Sequence, residues 1–202
     1  MDISLMTKPT KMHDLMIDIE TMGTKPYSAI VSIGACFFDI ETGDIGPTFY
    51  EVVSMDSCQK LGMNLDAATM QWWMKQDEAA KKIFFGFKRP VVDVMEDFRK
   101  FCGEYVSKKV LKPWGNGSSF DITLMESAFE LTGVECPWNF WNVRDVRTIV
   151  ALGSGISDAK NTVKREGTYH NALDDAIHQV KYVSEIYRTL RAPHEAGNVK
   201  VA

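Results

Sequence analysis

The stretch LMIDIETMG, residues 15–23, constrains the fold most, because it carries apolar residues directly into two carboxylates spaced one residue apart. Its period of two is that of a β-strand, in which successive side chains alternate between the two faces. Asp18 and Glu20 therefore share one face of a strand whose other face is apolar. Two neighbouring anions repel each other, so this face needs a solvated edge, a basic partner or a divalent cation.

The composition indicates one domain of ordinary size. With 202 residues, 45% of them hydrophobic, the chain can bury a core, and no shift in composition marks a boundary. We therefore predict a single domain over residues 1–202, with its core in 13–190 and a short flexible tail at each end. The first residues lack a secretory signal, and the longest nearly apolar run, 29–38, is too short to span a bilayer. These features predict a cytoplasmic protein without a membrane partner.

Charge and cysteine content limit the kinds of ligand and the kinds of structural framework that the chain can have. The chain has 23 Lys and Arg against 27 Asp and Glu, a net charge of −4, so it cannot hold nucleic acid by bulk charge alone. Its four cysteines lack a Cys-x-x-Cys pair, which argues against a zinc knuckle or a disulfide framework. A polyanionic substrate would depend on bound metal or on local basic patches, for which solvated surface is the alternative. The candidate patch residues are Lys81, Lys82, Lys88, Arg89, Lys160, Lys164 and Arg165.

The order of the predicted elements indicates an α/β fold, a mixed central β-sheet flanked by α-helices. We predict strands over residues 15–20, 29–39, 48–53, 110–114 and 141–146. We predict helices over residues 64–82, 90–107, 120–132, 146–152 and 171–190. The first three strands give an antiparallel start, and Asn171 caps the last and longest helix. A polar, mobile loop at 153–169 precedes that helix.

Two further carboxylates lie among apolar neighbours far from the first pair. Asp121 stands where a strand gives way to a helix, after the stretch WGNGSSF, and Asp175 lies in the first turns of the last helix, near its core edge. Four carboxylates at one point hold about −4 of charge and need cations to stay ionised. Oxygen ligands suit Mg²⁺ or Mn²⁺ rather than zinc or copper. Two such ions are the standard apparatus for attack of water on a phosphodiester.

His170 is the candidate general base. It lies five residues before Asp175, at the junction of the polar loop and the last helix, where it could take a proton from an attacking water. A histidine beside a helix start is by itself more often a capping residue, and only this spacing favours catalysis. An exposed strand edge is likewise the alternative for Asp18 and Glu20, since a second DIET stretch at residues 39–42 has the pattern of a turn.

Three ordered motifs together resemble the DEDDh branch of the DnaQ-like 3′-to-5′ exonucleases, which have a ribonuclease H-like fold. The motifs are DIE at residues 18–20, WGNGSSFD ending at Asp121, and HNALDD at residues 170–175. The resemblance covers residues 13–190, and His170 occupies the position that separates this branch from its tyrosine sister branch. The tryptophan pair in QWWMKQ and the WGNG turn are most similar to a compact subgroup, the phage exonuclease A and mycobacterial exoribonuclease types. That subgroup acts on single-stranded DNA or on RNA.

The resemblance implies a role for each motif residue. Asp18 would bridge two metal ions, and Glu20 and Asp175 would complete one of the two sites. Asp121 would hold the second ion largely through water, and His170 would be the general base. The residues that would contact substrate are Thr21, Met22, Gly23, Trp73, Asn116, Lys164 and Arg165.

Alternatives stay open for some of these substrate contacts. One of Trp72 and Trp73 should face the core, because neighbours on a helix point about 100° apart, and the other could stack on a base. Many family members place an asparagine four residues before the aspartate of the second motif. This chain has Gly117 there and carries Asn116 one residue earlier.

Together these features predict a metal-dependent 3′-to-5′ exonuclease that uses two ions of Mg²⁺ or Mn²⁺ and releases nucleoside 5′-monophosphates from single-stranded DNA. A 3′-to-5′ exoribonuclease is the nearest alternative, because no residue can be named that reads the 2′-hydroxyl. A module that binds nucleic acid without cleaving it is the alternative from a different class. A homodimer stays open as an assembly.

Overall fold

The central sheet has five strands, and the first of them lies in the middle. The computed structural model describes residues 12–192, in which the strands are β1 (Asp14–Thr21), β2 (Ile30–Phe38), β3 (Ile45–Val52), β4 (Lys112–Gly115) and β5 (Arg144–Asp145). Their order across the sheet is β3-β2-β1-β4-β5. The first three strands pair antiparallel, and β4 and β5 continue the sheet parallel to β1. This mixed sheet confirms the predicted fold class.

Helices cover both faces of the sheet. They are α1 (Met55–Lys60), α2 (Ala67–Met74), α3 (Glu78–Lys81), α4 (Val91–Tyr105), α5 (Asp121–Thr132), α6 (Val146–Gly153), α7 (Ala159–Thr162) and α8 (Ala172–Arg191). The apolar side chains of α4 and α5 form one core on one face of the sheet. Those of α6 and α8 form a second core on the opposite face. β2 is buried at every position, as its apolar sequence predicts.

β1 divides its side chains between these two cores. Leu15, Ile17 and Ile19 pack into the core of α4 and α5, whereas Met16 packs into that of α8. Asp18 and Glu20 continue the alternation of Met16. The two carboxylates therefore project from the face of the sheet that α8 covers.

Gly34 sets the distance between α8 and the sheet. It pairs with Asp18 across β1 and β2, and a Cβ atom at this position would lie 2.1 Å from the carbonyl carbon of Ala172 and from the backbone nitrogen of Leu173. Only hydrogen fits in this space, so the first turn of α8 lies directly against β2. This contact brings Asp175, in that turn, to the two carboxylates of β1.

Three predicted elements differ from the structure. Residues 64–82 do not form one helix, because α2 ends at Met74 and Asp77 caps α3 as a separate short helix. β5 has two residues, since the backbone before it forms a 3₁₀ turn at Phe140–Asn142. The loop at 153–169 includes α7, and the short α1 has no counterpart among the predicted elements.

Other expectations concern the whole chain. The predicted tails outside residues 13–190 lie almost entirely outside the described residues. Within 12–192, none of the helices combines the length and the apolar character that crossing a bilayer requires. Cys36, Cys58 and Cys102 are buried and Cys136 is half-buried, all as free thiols, as their spacing predicts.

Candidate active site

Four acidic side chains from three chain segments meet at the carboxyl end of β1. Asp18 and Glu20 lie on β1, Asp121 begins α5, and Asp175 lies in the first turn of α8. Ligand atoms of Glu20, His170 and Asp175 all lie within 4.8 Å of one another. Asp18 lies close enough to Glu20, Asp121 and Asp175 for each of their charges to act on it. The fold therefore brings Glu20, His170 and Asp175 within reach of one ion, and it places Asp18 and Asp121 near enough for their charges to act within the same cluster.

Asp18 is half-buried, and the other three carboxylates all lie close to it. Burial raises the pKa of Asp18 well above its ordinary value. The charges of Asp121, Glu20 and Asp175 raise that pKa further. One hydrogen bond opposes them, in which Gln179 Nε2 donates to Asp18 Oδ1 at 2.8 Å.

Glu20 and Asp121 are also unfavourable places for a negative charge. Burial, followed by the charges of Asp175 and Asp121, raises the pKa of Glu20 from 4.5 to about 8, although Arg165 lowers it in part. Burial raises the pKa of Asp121 from 3.8 to about 7, against backbone N–H groups that stabilise its ionised form, among them those of Ile19 and Asn116. A cation at this point would remove the cost of ionising these carboxylates.

His170 has an unusual backbone. Its φ of 61° makes it the one residue other than glycine with positive φ among residues 12–192. Its N–H donates to Asp175 Oδ2 at 3.1 Å, and its Nδ1 lies 3.9 Å from Glu20 Oε1. The Trp72 ring lies edge-on to the imidazole, with centroids 5.0 Å apart. These contacts hold the ring beside the carboxylates in a conformation that costs backbone strain.

Arg165 contacts the carboxylates from the loop before α8. Its guanidinium forms an ion pair with Asp175, donates to the carbonyl oxygen of Thr168 at 3.3 Å and lies 4.0 Å from the centre of the Tyr169 ring. The side chains of Arg165 and Asp175 are 17% and 16% exposed. Lys164 is exposed to solvent.

A cleft of about 490 Å³ opens beside Glu20. Thr21 and Gly23 line it, together with Thr24, Asp66, Trp72 and Phe120. Its volume is within the range of sites that hold one small ligand. The arrangement therefore joins a pocket to a cluster of acidic groups and a histidine.

Two of the predicted substrate contacts are buried. Met22 is buried, its N–H donates to the carbonyl oxygen of Ala29 at 2.8 Å, and it lines a separate apolar pocket of about 200 Å³. Trp73 is only 3% exposed, and its Nε1 donates to the carbonyl oxygen of Thr21 at 2.9 Å. Of the two tryptophans, Trp72 is the exposed one, at 43%. Trp73 fixes the backbone along the cleft, which it also lines, and its contact with substrate stays a prediction.

Asn116 and Gln179 act on the carboxylates in ways the sequence does not specify. Asn116 lies in the turn after β4, and its backbone N–H stabilises the ionised Asp121. Gln179 is four residues after Asp175 and so on the same face of α8, which is the signal that could have identified it. Nothing in the sequence marks Gln179 as the partner of Asp18, because the two residues are 161 positions apart.

A mixed sheet with four carboxylates and a histidine at the end of its central strand defines a nuclease of the DEDDh class. A model of the family described as the 3′-5′ exoribonuclease Rv2179c-like domain matches residues 13–187, and the chain belongs to this family. It is therefore a 3′-to-5′ exonuclease.

Known relatives and solved structures agree with this class. The chain is 28% identical over 193 residues to the exodeoxyribonuclease of Enterobacteria phage T4, across 83% of this chain and 84% of the relative. Its fold is similar to the nuclease domain of 3′hExo, a DEDDh family member bound to rAMP, with a TM-score of 0.56, 14% identity and coverage of 90% and 94%. E. coli exonuclease I in complex with an oligonucleotide gives a TM-score of 0.53 and 14% identity, over 88% of this chain and 40% of that one. The similarities confirm the ribonuclease H-like fold.

The donor set suits hard divalent cations. The clustered groups offer carboxylate oxygens and one imidazole, without a cysteine, which is the ligand chemistry of Mg²⁺ or Mn²⁺. Burial raises the pKa of both Glu20 and Asp121, and a bound cation would favour their ionised forms. The residues present therefore fit the metal dependence that is typical of DEDDh exonucleases.

Proposed function

We propose that this chain removes nucleoside 5′-monophosphates one at a time from the 3′ end of single-stranded DNA, with two ions of Mg²⁺ or Mn²⁺ and His170 as the general base. RNA is the alternative substrate. The observation that carries the proposal is the meeting of four carboxylates and His170 beside a cleft of about 490 Å³. We propose that the whole activity resides in one domain.

The carboxylates would divide the work of holding the cations. Asp18, central among the four, would bridge both ions, Glu20 and Asp175 would complete one site, and Asp121 would serve the other. When bound, the two ions would stabilise the charges that develop on the attacking and leaving oxygens of the phosphodiester. Gln179 orients the Asp18 carboxylate through its hydrogen bond, and so positions it for this role.

His170 would take the proton of the attacking water. Its ring lies beside Glu20, and its N–H is tied to Asp175, so the base sits where the proposed nucleophile must approach. The edge-on contact with Trp72 limits rotation of the ring. Proton removal by a residue held in this way costs little reorganisation during the reaction.

The cleft would receive the terminal nucleotide. Thr21 and Gly23 line it through β1 and the turn after it, and exposed Trp72 offers a face for base stacking in place of Trp73. Lys164 and Arg165, on the loop before α8, are proposed as phosphate contacts. Asn116 supports Asp121 through its backbone, and a direct contact of its side chain with substrate stays a prediction.

Single-stranded DNA is favoured over RNA by the phage relative, which is named an exodeoxyribonuclease. The family description, an exoribonuclease domain, favours RNA. A mononucleotide, rAMP, and an oligonucleotide also appear in the names of similar structures. The homodimer stays a prediction, and nothing in residues 12–192 supports it.

Labelled strands test the proposal. DNA and RNA of one sequence, labelled at either end, are incubated with Mg²⁺, Mn²⁺ or a chelator. We expect the 3′ label to leave first as a mononucleotide and the 5′-labelled strand to shorten stepwise, only with metal. Asp121→Asn is expected to lose the activity and Glu41→Gln, at an exposed turn, to keep it, which excludes a contaminating nuclease.

Other outcomes would point elsewhere. Internal cuts would indicate an endonuclease with the same fold, and binding without cleavage in every lane would indicate a binding module. The ratio of kcat/KM values on the two strands decides between DNA and RNA.

A further inference from the structure

Arg165, one of the proposed phosphate contacts, already forms an ion pair with Asp175. We propose that Arg165 stands in for a divalent cation at Asp175 in the metal-free enzyme, and that it leaves this carboxylate for a substrate phosphate when the cation binds. The inference rests on the proposed function, since it assumes a cation at Asp175.

The first support is the contact itself. Among residues 12–192, Arg165 is the only Lys or Arg whose side chain forms an ion pair with any of the four clustered carboxylates. The pair is mostly removed from solvent, at 17% and 16% side-chain exposure, and Arg165 also acts on Glu20. The positively charged guanidinium of Arg165 therefore partly offsets the repulsion between the clustered carboxylates.

The second support is that the docked guanidinium is incompletely satisfied. Arg165 Nε is buried and has no hydrogen-bond acceptor among the described residues, and His178 Nδ1, also buried, has no donor. His178 lies three residues after Asp175 on α8 and so on the same face of the helix. A buried donor without a partner costs free energy, which makes this position of Arg165 easy to exchange for another.

The third support is the position of Arg165 on the chain. It belongs to the loop that ends in His170, and its contacts with Thr168 and Tyr169 are made within this loop. A guanidinium released from Asp175 would remain tethered beside the carboxylates, where the proposed function places the scissile phosphate. Its planar fork of N–H groups matches two phosphate oxygens as well as it matches a carboxylate.

The two partners of Asp175 must therefore compete. Arg165 pairs with Oδ1 of Asp175, one of the two carboxylate oxygens that a cation at this residue would use, so metal binding in the wild-type protein would compete with this ion pair. Removing the guanidinium should tighten metal binding and weaken the metal-free fold. Replacing a residue that only shaped the loop would also weaken the fold, but it would not tighten metal binding.

Metal binding by four proteins tests this competition. Calorimetry with Mn²⁺, in the absence of nucleic acid, compares the wild type with Arg165→Gln, Arg165→Lys and Lys160→Gln. Lys160 is exposed on α7, and its substitution removes the same charge from the same segment. We expect Arg165→Gln to bind Mn²⁺ about 10- to 100-fold more tightly than the wild type, as for loss of a charged hydrogen bond. Arg165→Lys should be intermediate.

Thermal unfolding gives an independent readout. In chelator, Arg165→Gln should melt below Lys160→Gln, and Mn²⁺ should raise its Tm by more than it raises that of the control. Equal Mn²⁺ affinity in Arg165→Gln and Lys160→Gln, or weaker affinity in Arg165→Gln, would overturn the competition and leave the metal centre standing. Absence of Mn²⁺ binding in all four proteins would remove the metal centre and this inference together.

Discussion

Asp18 lies among three other carboxylates, so its removal should separate catalysis from stability. Burial and the charges of Asp121 and Glu20 oppose its ionised form, and only the bond from Gln179 favours it. We expect Asp18→Ala to lower the cleavage rate on the order of 10³-fold or more, as for loss of a main electrostatic element. In chelator its Tm should equal or exceed that of the wild type.

The measurements are cleavage of a labelled strand and thermal unfolding without metal. Glu41→Ala, in the second DIET stretch at 39–42, is the matched control, because that stretch forms an exposed turn. Retained turnover in Asp18→Ala would contradict the assignment of Asp18 to the metal centre.

His170 combines a proposed base with a left-handed backbone, and two substitutions distinguish these features. Asparagine tolerates positive φ far better than alanine does, but neither can act as the base. We expect both His170→Asn and His170→Ala to lower kcat by about 10²- to 10⁴-fold, with KM little changed. Recovery of most of the rate in His170→Asn would show that the backbone matters more than the imidazole.

The raised pKa values of Glu20 and Asp121 predict how the free energy of unfolding depends on pH. The pKa of Glu20 rises from 4.5 to about 8 on folding, and that of Asp121 rises from 3.8 to about 7. Between the lower and the higher value of each group, the folded state therefore holds more protons than the unfolded chain. The free energy of unfolding should therefore fall as pH rises from about 5 to about 8, by on the order of 2 kcal/mol per pH unit at the lower end of this range and by less as the two groups ionise.

Thermal unfolding in chelator across this pH range measures the slope. Glu20→Gln should reduce it, and saturating Mg²⁺ should flatten it, because bound cations favour the ionised carboxylates. A Tm that rises with pH in chelator would contradict the raised pKa values.

At the scale of elements, the contact between α8 and β2 depends on Gly34. A methyl group there would meet the backbone of Ala172 and Leu173, which cannot move without displacing the helix. We expect Gly34→Ala to destabilise the protein by about 1–3 kcal/mol, in line with overpacking of a core, and to lower activity by moving Asp175. Gly103→Ala, on α4 with open space around it, should instead stabilise by about 0.5–1 kcal/mol. Denaturant unfolding of both variants tests the contrast.

The elements that the sequence could predict are those with local signals. α8 has a clear apolar stripe, and Asn171 caps it by accepting from the N–H groups of Leu173 and Asp174, as predicted. α5 ends at Thr132, as predicted, and Gly133 follows it in the left-handed conformation. The break between α2 and α3 was not predicted, because good helix formers continue through it. The capping residue Asp77 is also compatible with a position inside a helix.

The candidate site also contains some features that the sequence could predict and others that it could not. Its five motif residues could be proposed because each motif is contiguous in sequence. The partner of Asp18, the exposure of Trp72 rather than Trp73, and the pairing of Arg165 with Asp175 depend on how distant segments pack. A helical pattern shows that one of two adjacent tryptophans faces inward but does not by itself say which.

At the scale of the whole molecule, a net charge of −4 predicts weak long-range attraction for nucleic acid. With Lys164 and Arg165 as the proposed phosphate contacts, binding of a single strand should fall with salt at a log–log slope of about −1 to −2. Titration of strand binding to Asp18→Ala at several salt concentrations measures the slope. Lys164→Gln should make it shallower, and a slope steeper than about −4 would show that further basic residues contact the strand.

The order of the elements along the chain, with β1 first and α8 last, also determines when the candidate site can first assemble. During translation the ribosome releases β1 early and α8 much later, so Asp18 and Glu20 emerge long before Asp175 and His170. A nascent chain that has not reached α8 lacks both the proposed base and one of the four clustered acidic residues. We therefore expect the proposed nuclease centre to be incomplete until most of the polypeptide has been made.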